Sequence, residues 1–128
     1  METQTVAGMV AVAKSRIDNL DVAAVDAEMG EGNPILVDIR EPEERSASGT
    51  IPGSIHAPRG MLEFYADATS PYHRPEFDTD RRIILYCASG GRSALATDAL
   101  QRLGYTNIAH LDGGIKAWIA AGKPAESV

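Results

Sequence analysis

The sequence holds a single cysteine, Cys87, so no disulfide can form within the chain. At 128 residues the chain can bury most of its unfolded surface without a covalent or metal staple, and its length suits one domain. Positive charge is scarce: 12 Lys and Arg stand against 18 Asp and Glu, a formal net charge of −6. A surface of that sign lacks the basic stripes that nucleic acids and membrane surfaces require, so neither is expected as a partner. A small anion in a local basic pocket stays compatible with it. No apolar run reaches the length of a bilayer span. The stretch Val6 to Ala13, VAGMVAVA, is apolar, and Ala11-Val12-Ala13 has the form of a small-residue cleavage site. The Lys or Arg leader of a secretory signal is missing before it, and Glu2 stands there instead. The expectation is an amphipathic docking helix in a cytoplasmic protein with a reduced thiol. His56, His73 and His110 show no metal-ligand spacing with one another or with Cys87, so no metal is expected.

What is present alternates. Residues 5–16 read as a helix ending in the cations Lys14 and Arg16. Residues 1–16 are therefore taken as a helical extension and 17–128 as the domain. Asp21 is placed to cap a helix over 22–29 closed by Gly30. PILVDIR, from Pro34 to Arg40, and RIILYC, from Arg82 to Cys87, are short continuous apolar runs, the pattern of strands buried on both faces. EPEERSA predicts a short helix with Pro42 near its start, and Ser54 to Ala57 a brief strand. RGMLEFYAD reads as helical, and the proline-punctuated stretch that follows, to Asp80, as a long loop. A helix is expected from Ser93 to Leu103, with Ala96, Ala99, Leu100 and Leu103 on its buried stripe and Gly104 as its stop. NIAHL gives another strand. Asp112-Gly113-Gly114 gives a turn, and a closing helix runs from Ile115 to Ala121, with Trp118 in the core. Strands alternating with helices predict an α/β fold with a parallel sheet, in which ligands sit beyond the carboxyl ends of the strands.

Cys87 lies at such an end, in YCASGGRS. Gly90 and Gly91 permit a tight curl, a curled loop can aim several N–H groups into one concavity, and a helix N-terminus favours a thiolate. Ser89 and Ser93 add hydroxyls and Arg92 a charge. A buried structural cysteine before an ordinary turn is the alternative reading of the thiol alone. The order strand, Cys, paired Gly, Arg, helix favours a nucleophile in an anion cradle.

CASGGRS resembles the Cys-x-x-Gly-x-Arg-Ser active-site loop of the rhodanese-like sulfurtransferases. LVDIREPEE is similar to their Asp-x-Arg segment, with Asp38, Arg40 and Glu44. SGTIPGSIHAP resembles their Gly-His-Ile-Pro-Gly-Ala segment, with Thr50 where many relatives carry His. The stretch from Gly104 to Pro124 resembles their Gly-Gly-x-x-x-Trp signature, with Gly113, Gly114 and Trp118. The matches run in order from about Asp18 to Pro124. The resemblance implies a central, mostly parallel five-stranded sheet with helices on both faces. It implies sulfur transfer in two displacements through a persulfide on Cys87, with neither a metal nor an organic cofactor, from a small sulfur-containing anion such as thiosulfate to cyanide, a thiol or a protein acceptor, by a monomer or homodimer. Ala88, Ser89, Gly90, Gly91, Arg92 and Ser93 would line the substrate, with Arg59 as a further anion contact. For Asp38 and Arg40 a buried ion-pair brace is favoured over a place in the site, and for Glu41, Glu43 and Glu44 a solvated face. His73 and Arg74 lie on a loop able to cover the pocket, though solvation is the plainer reading. Two rivals stand beside this: a cysteine phosphatase or arsenate reductase of the same fold, and a non-catalytic sulfur-carrier or binding module. The phosphatases place one residue more between Cys and Arg than the four found here, Ala88 through Gly91.

Overall fold

In the computed structural model, which describes residues 4–128, five strands form one all-parallel sheet in the order β1-β5-β4-β2-β3. The strands are β1 (Asp18–Leu20), β2 (Ile35–Asp38), β3 (Ile55–His56), β4 (Ile83–Tyr86) and β5 (Ile108–Leu111). Six helices accompany them: α1 (Val6–Lys14), α2 (Val22–Glu31), α3 (Pro42–Ser48), α4 (Leu62–Ala66), α5 (Gly91–Arg102) and α6 (Gly114–Ala120). A 3₁₀ turn, Arg59–Met61, leads into α4. The expected five-stranded α/β architecture is the one observed.

The two-residue period of β4 divides the core. Ile83, Leu85 and then Cys87 face one layer, with Leu62 and Ala66 of α4 and Ala96 and Leu100 of α5. Ile84 and Tyr86 face the other, with Val25 of α2 and Ile115 and Trp118 of α6. All four residues of β4 are buried, which is why the run reads as continuously apolar. α1 packs on α5, outside this two-layer core, and is tied down by Lys14 Nζ to Asp112 Oδ1 at 2.8 Å.

Several boundaries differ from the sequence expectation. Helix α2 runs through Gly30 and ends at a cap on Gly32, because nothing at Gly30 demands a left-handed backbone. On α5 the buried residues are Ser93, Ala94, Ala96, Thr97 and Leu100, while Leu103 is exposed. The polar Ser93 and Thr97 are accommodated by partners: Thr97 Oγ1 donates to Ser93 O at 2.8 Å. Strand β1 has no apolar signature, and its outer residues Asp18 and Asn19 are exposed.

Asp38 and Arg40 form a buried brace beside the carboxyl end of β2. Arg40, 1% exposed, donates from Nε and Nη2 to the two oxygens of Asp38 at 3.0 and 2.8 Å. It also reaches Ser48 Oγ at 2.7 Å and Gly49 O at 2.6 Å, and Tyr86 Oη donates to Asp38 Oδ2 at 3.2 Å. Burial pushes the Tyr86 phenol up to about 12, so it stays a donor. Thr50 is held by backbone pairing with Glu126, 2.8 and 2.9 Å. Replacing Arg40 by Ala leaves the buried Asp38 carboxylate with only Arg45 Nε, at 3.3 Å, and the Tyr86 hydroxyl, so Arg40→Ala is expected to cost about 3 kcal/mol in urea unfolding. A cost under about 1 kcal/mol would show the pair to be dispensable.

Candidate active site

β4 delivers Cys87 to the carboxyl edge of the sheet, and α5 starts four residues later at Gly91. Gly90, at φ +103°, makes the turn between them; a β-carbon there would lie 2.9 Å from Gly113 N. The thiol sulfur accepts N–H groups from Gly90 at 3.2 Å and Ser93 at 3.4 Å. Ser93 Oγ lies 3.5 Å from it. Cys87 is 1% exposed, yet it lines a cavity of about 460 Å³ with Val6, Ala7, Val10, Ser89, Gly91, Arg92 and Leu95. The first-turn amides of Gly91 and Arg92 have no protein acceptor among the described residues, the ordinary state of helix N-terminal donors. The arrangement is a thiol at the mouth of a helix dipole with spare donors close by.

The loop takes this shape because α6 holds it from behind. Ile115 N donates to Cys87 O and Lys116 N to Ala88 O, each at 3.0 Å. Gly114 has φ +62°, and a β-carbon there would collide with Ala88 O and sit 2.6 Å from Cys87 O. The Gly-Gly turn is thus part of the site's framework.

Arg92 lines the cavity, but its guanidinium is held by Glu44, at 2.9 Å from Nη1 to Oε2 and 2.8 Å from Nη2 to Oε1. Glu44 also accepts from Glu41 N at 2.8 Å. The Arg92 hydrogen bond, opposed by partial burial, leads in drawing the Glu44 carboxyl down to about 2. The solvated face expected for the acidic trio therefore fails at Glu44. Arg59 pairs with Glu63 at 2.5 Å and lines a different groove, between α1 and α5. It takes no place in the cavity around Cys87. Arg74 donates to His56 O and stacks on Tyr65, and His73 Nε2 lies 3.0 Å from Phe77 O. Neither residue lines the cavity. Among the described residues, no group of three or more His, Cys, Asp or Glu is arranged to hold a metal ion.

Three contributors had no place in the site as read from the motifs. Glu44 is one: it stands in the Asp-x-Arg segment but reads there as part of a solvated face. The second is the apolar wall of α1: Val6, Ala7 and Val10. The third is His110, whose Nδ1 lies 2.8 Å from Ser93 Oγ. Strand alternation could have found it, since Ile108 of β5 already faces the α5 layer.

Comparison with known proteins decides the family. The family model for the rhodanese-like domain matches residues 21–121. The chain belongs to the rhodanese-like family. A sulfurtransferase of Allochromatium vinosum is 32% identical, over 84% of this chain and 94% of its own. The thiosulfate:glutathione sulfurtransferase of Saccharomyces cerevisiae is 34% identical, over 70% of this chain and 68% of its own. A solved structure from Rhodopseudomonas palustris, of a protein of unknown function described as a possible tyrosine phosphatase, superposes with TM-score 0.92. It is 42% identical and covers 98% of this chain and 97% of its own. In this rhodanese-like domain the family match begins after α1, so the apolar wall comes from outside the matched residues.

Two outcomes follow. Gly114→Ala is expected to lower stability by about 2 kcal/mol or more, because both the positive φ and the carbonyl contacts oppose a side chain; a thermal melt unchanged from wild type would refute the close approach. Glu44 has a depressed folded pKa, so its contribution is complete above its unfolded value and fades as pH falls toward about 2. Glu44→Gln should therefore flatten the acid limb of stability in urea titrations run across that window, and an unaltered limb would remove the Arg92 pair as its cause.

Proposed function

We propose that the chain is a sulfurtransferase that carries a sulfane sulfur as a persulfide on Cys87. The observation that carries this reading is the setting of the sulfur: two amide donors already on it, and the orphan amides of Gly91 and Arg92 at the same cavity. A thiolate attacks the sulfane sulfur of a donor such as thiosulfate. The sulfur–sulfur bond of the donor breaks, and its electron pair leaves with sulfite. The outer persulfide sulfur is anionic, and preorganised N–H groups hold such an anion as an oxyanion hole holds oxygen. A second nucleophile, cyanide or a thiol, then takes that sulfur and returns Cys87 as thiolate. Sulfurtransferase relatives of 32% and 34% identity support the class. The thiosulfate and glutathione of the yeast relative's name are the first donor and acceptor to try.

The Rhodopseudomonas neighbour keeps phosphate-ester hydrolysis as the second reading. Against it, the residues lining the cavity include no carboxylate to protonate a leaving group, and the Arg92 guanidinium is bound to Glu44. Intact mass after thiosulfate should rise by one sulfur atom. The gain should vanish on adding cyanide, with thiocyanate released, and be absent in Cys87→Ala. No gain, with hydrolysis of an aryl phosphate instead, would install the phosphatase reading.

A further inference from the structure

His110 is a buried titratable group that the sulfur-transfer steps above do not use. It stands on β5 between Asn19 of β1 and Leu85 of β4 in register. Its ring and the side chain of Ser93 are both 0% exposed, and Cys87 is 1% exposed. Hydrogen bonding fixes the direction of the chain that joins them. Asn19 Nδ2 donates to Lys14 O at 2.9 Å and Ile17 O at 3.3 Å. Its oxygen therefore faces His110 Nε2, at 2.7 Å, and can only accept. The proton of the neutral ring is on Nε2, which leaves Nδ1 as an acceptor. Ser93 Oγ, at 2.8 Å, donates to that Nδ1. A lone pair of the Ser93 oxygen is then the acceptor for the Cys87 thiol.

Losing the thiol proton to bulk water would set two buried acceptors, the thiolate and Nδ1, in competition for one Ser93 hydroxyl. Passing it along the chain leaves none unpaired. We propose that His110 takes up the Cys87 thiol proton through the Ser93 hydroxyl when the sulfur attacks, and returns it when Cys87 is released. The transfer to substrate rests on the sulfurtransferase reading; the proton path itself does not. In the forward step the thiol proton passes to Ser93 Oγ, and the Ser93 proton passes to Nδ1. The Cys87 electron pair forms the new sulfur–sulfur bond, and the pair of the donor's broken bond leaves with sulfite. The products are the persulfide anion, sulfite and an imidazolium. In the return step cyanide takes the outer sulfur as thiocyanate. Cys87 leaves as thiolate and recovers its proton from Ser93, which recovers its own from His110. After the forward transfer, Ser93 Oγ–H points at the sulfur as a third donor beside the amides of Gly90 and Ser93. His110 acts through Ser93, not on the substrate, and so is a positioning residue.

The charges around the ring are Asp112 and Asp18, which favour the imidazolium, and Lys14, which opposes it. Burial outweighs them and pushes the imidazole down to about 4, so the ring is neutral at rest and holds a proton only weakly, which favours its return to Cys87. Its capacity to accept rests on the free Nδ1 that the Asn19 contact leaves facing Ser93. Asp112 is itself tied to Lys14 at 2.8 Å.

The test is the rate of Cys87 alkylation by iodoacetamide in wild type, His110→Asn and Ser93→Ala, from about pH 6 to about pH 10. His110→Asn offers Ser93 a neutral acceptor that cannot take a proton, so a purely structural role would survive it. Both variants are expected to lose about tenfold or more near pH 6 and to converge on wild type at the alkaline end, where solvent removes the proton. Thermal melts show whether each variant is folded, and either one suffices. Superimposed profiles would overturn the relay, as would a loss uniform across pH, which reads as altered access. Thiosulfate sulfuration is measured in parallel on wild type. A wild type that never gains sulfur, while the variants' alkylation profiles still shift, sinks the sulfurtransferase reading and leaves the proton path standing.

Discussion

The site depends on two carbonyl groups that point away from it. Cys87 O and Ala88 O are taken by the amides of Ile115 and Lys116 at the first turn of α6. A peptide's C=O and N–H point in opposite directions, so anchoring these carbonyls on α6 turns the Ala88 and Ser89 amides to the other side and fixes the start of the loop. The curl at Gly90 then brings the Gly90 and Ser93 amides onto the sulfur. Two helices contribute opposite services with the same end: α6 uses its orphan amides to hold the loop, and α5 turns one of its own, that of Ser93, onto the Cys87 sulfur. Gly114 is the hinge of the arrangement, because any β-carbon would occupy the space of the carbonyls it must admit.

Charge around the cavity is arranged by pairing. Arg40 is spent on Asp38, Ser48 and Gly49, which fixes α3 against the end of β2. α3 presents Glu44, and Glu44 holds Arg92 at the cavity. The cation that lines the cavity with the thiol is thereby positioned and largely neutralised. The uncompensated positive groups at the cavity are therefore the first-turn amides of α5, not a bare guanidinium.

Much of this was legible in the sequence, and unevenly. β2 and β4 are buried on both faces, so their runs are apolar throughout and announce themselves. Cys87, Gly90 and Arg92 stand in a spacing that local chemistry explains. β1 left no trace because Asp18 and Asn19 are exposed and the strand is held by pairing with β5 alone. The stripe of α5 holds at Ala96 and Leu100 but misses Ser93 and Thr97, which are buried through hydrogen bonds that a pattern of apolar residues cannot register. Arg59 and Glu44 exchange importance for a related reason. Glu44 finds Arg92 48 residues away, a tertiary distance the sequence does not measure, whereas Arg59 is taken by Glu63 at i,i+4 on the turn leading into α4.

The same limit bears on the N-terminal helix. Read alone, Val6 to Ala13 is an apolar segment looking for a surface. In the fold it finds α5, and Lys14 fastens its end to Asp112, the residue that opens the Gly-Gly turn. Lys14 also offers its carbonyl to Asn19, which orients the His110 ring. One helix terminus therefore touches both the turn that shapes the loop and the chain that reaches the thiol. A segment outside the matched family region supplies the cavity's apolar wall and steadies the polar network behind the sulfur. The cavity wall and the polar chain behind the thiol share a support in α1, and a change that loosens its last turn should disturb both together.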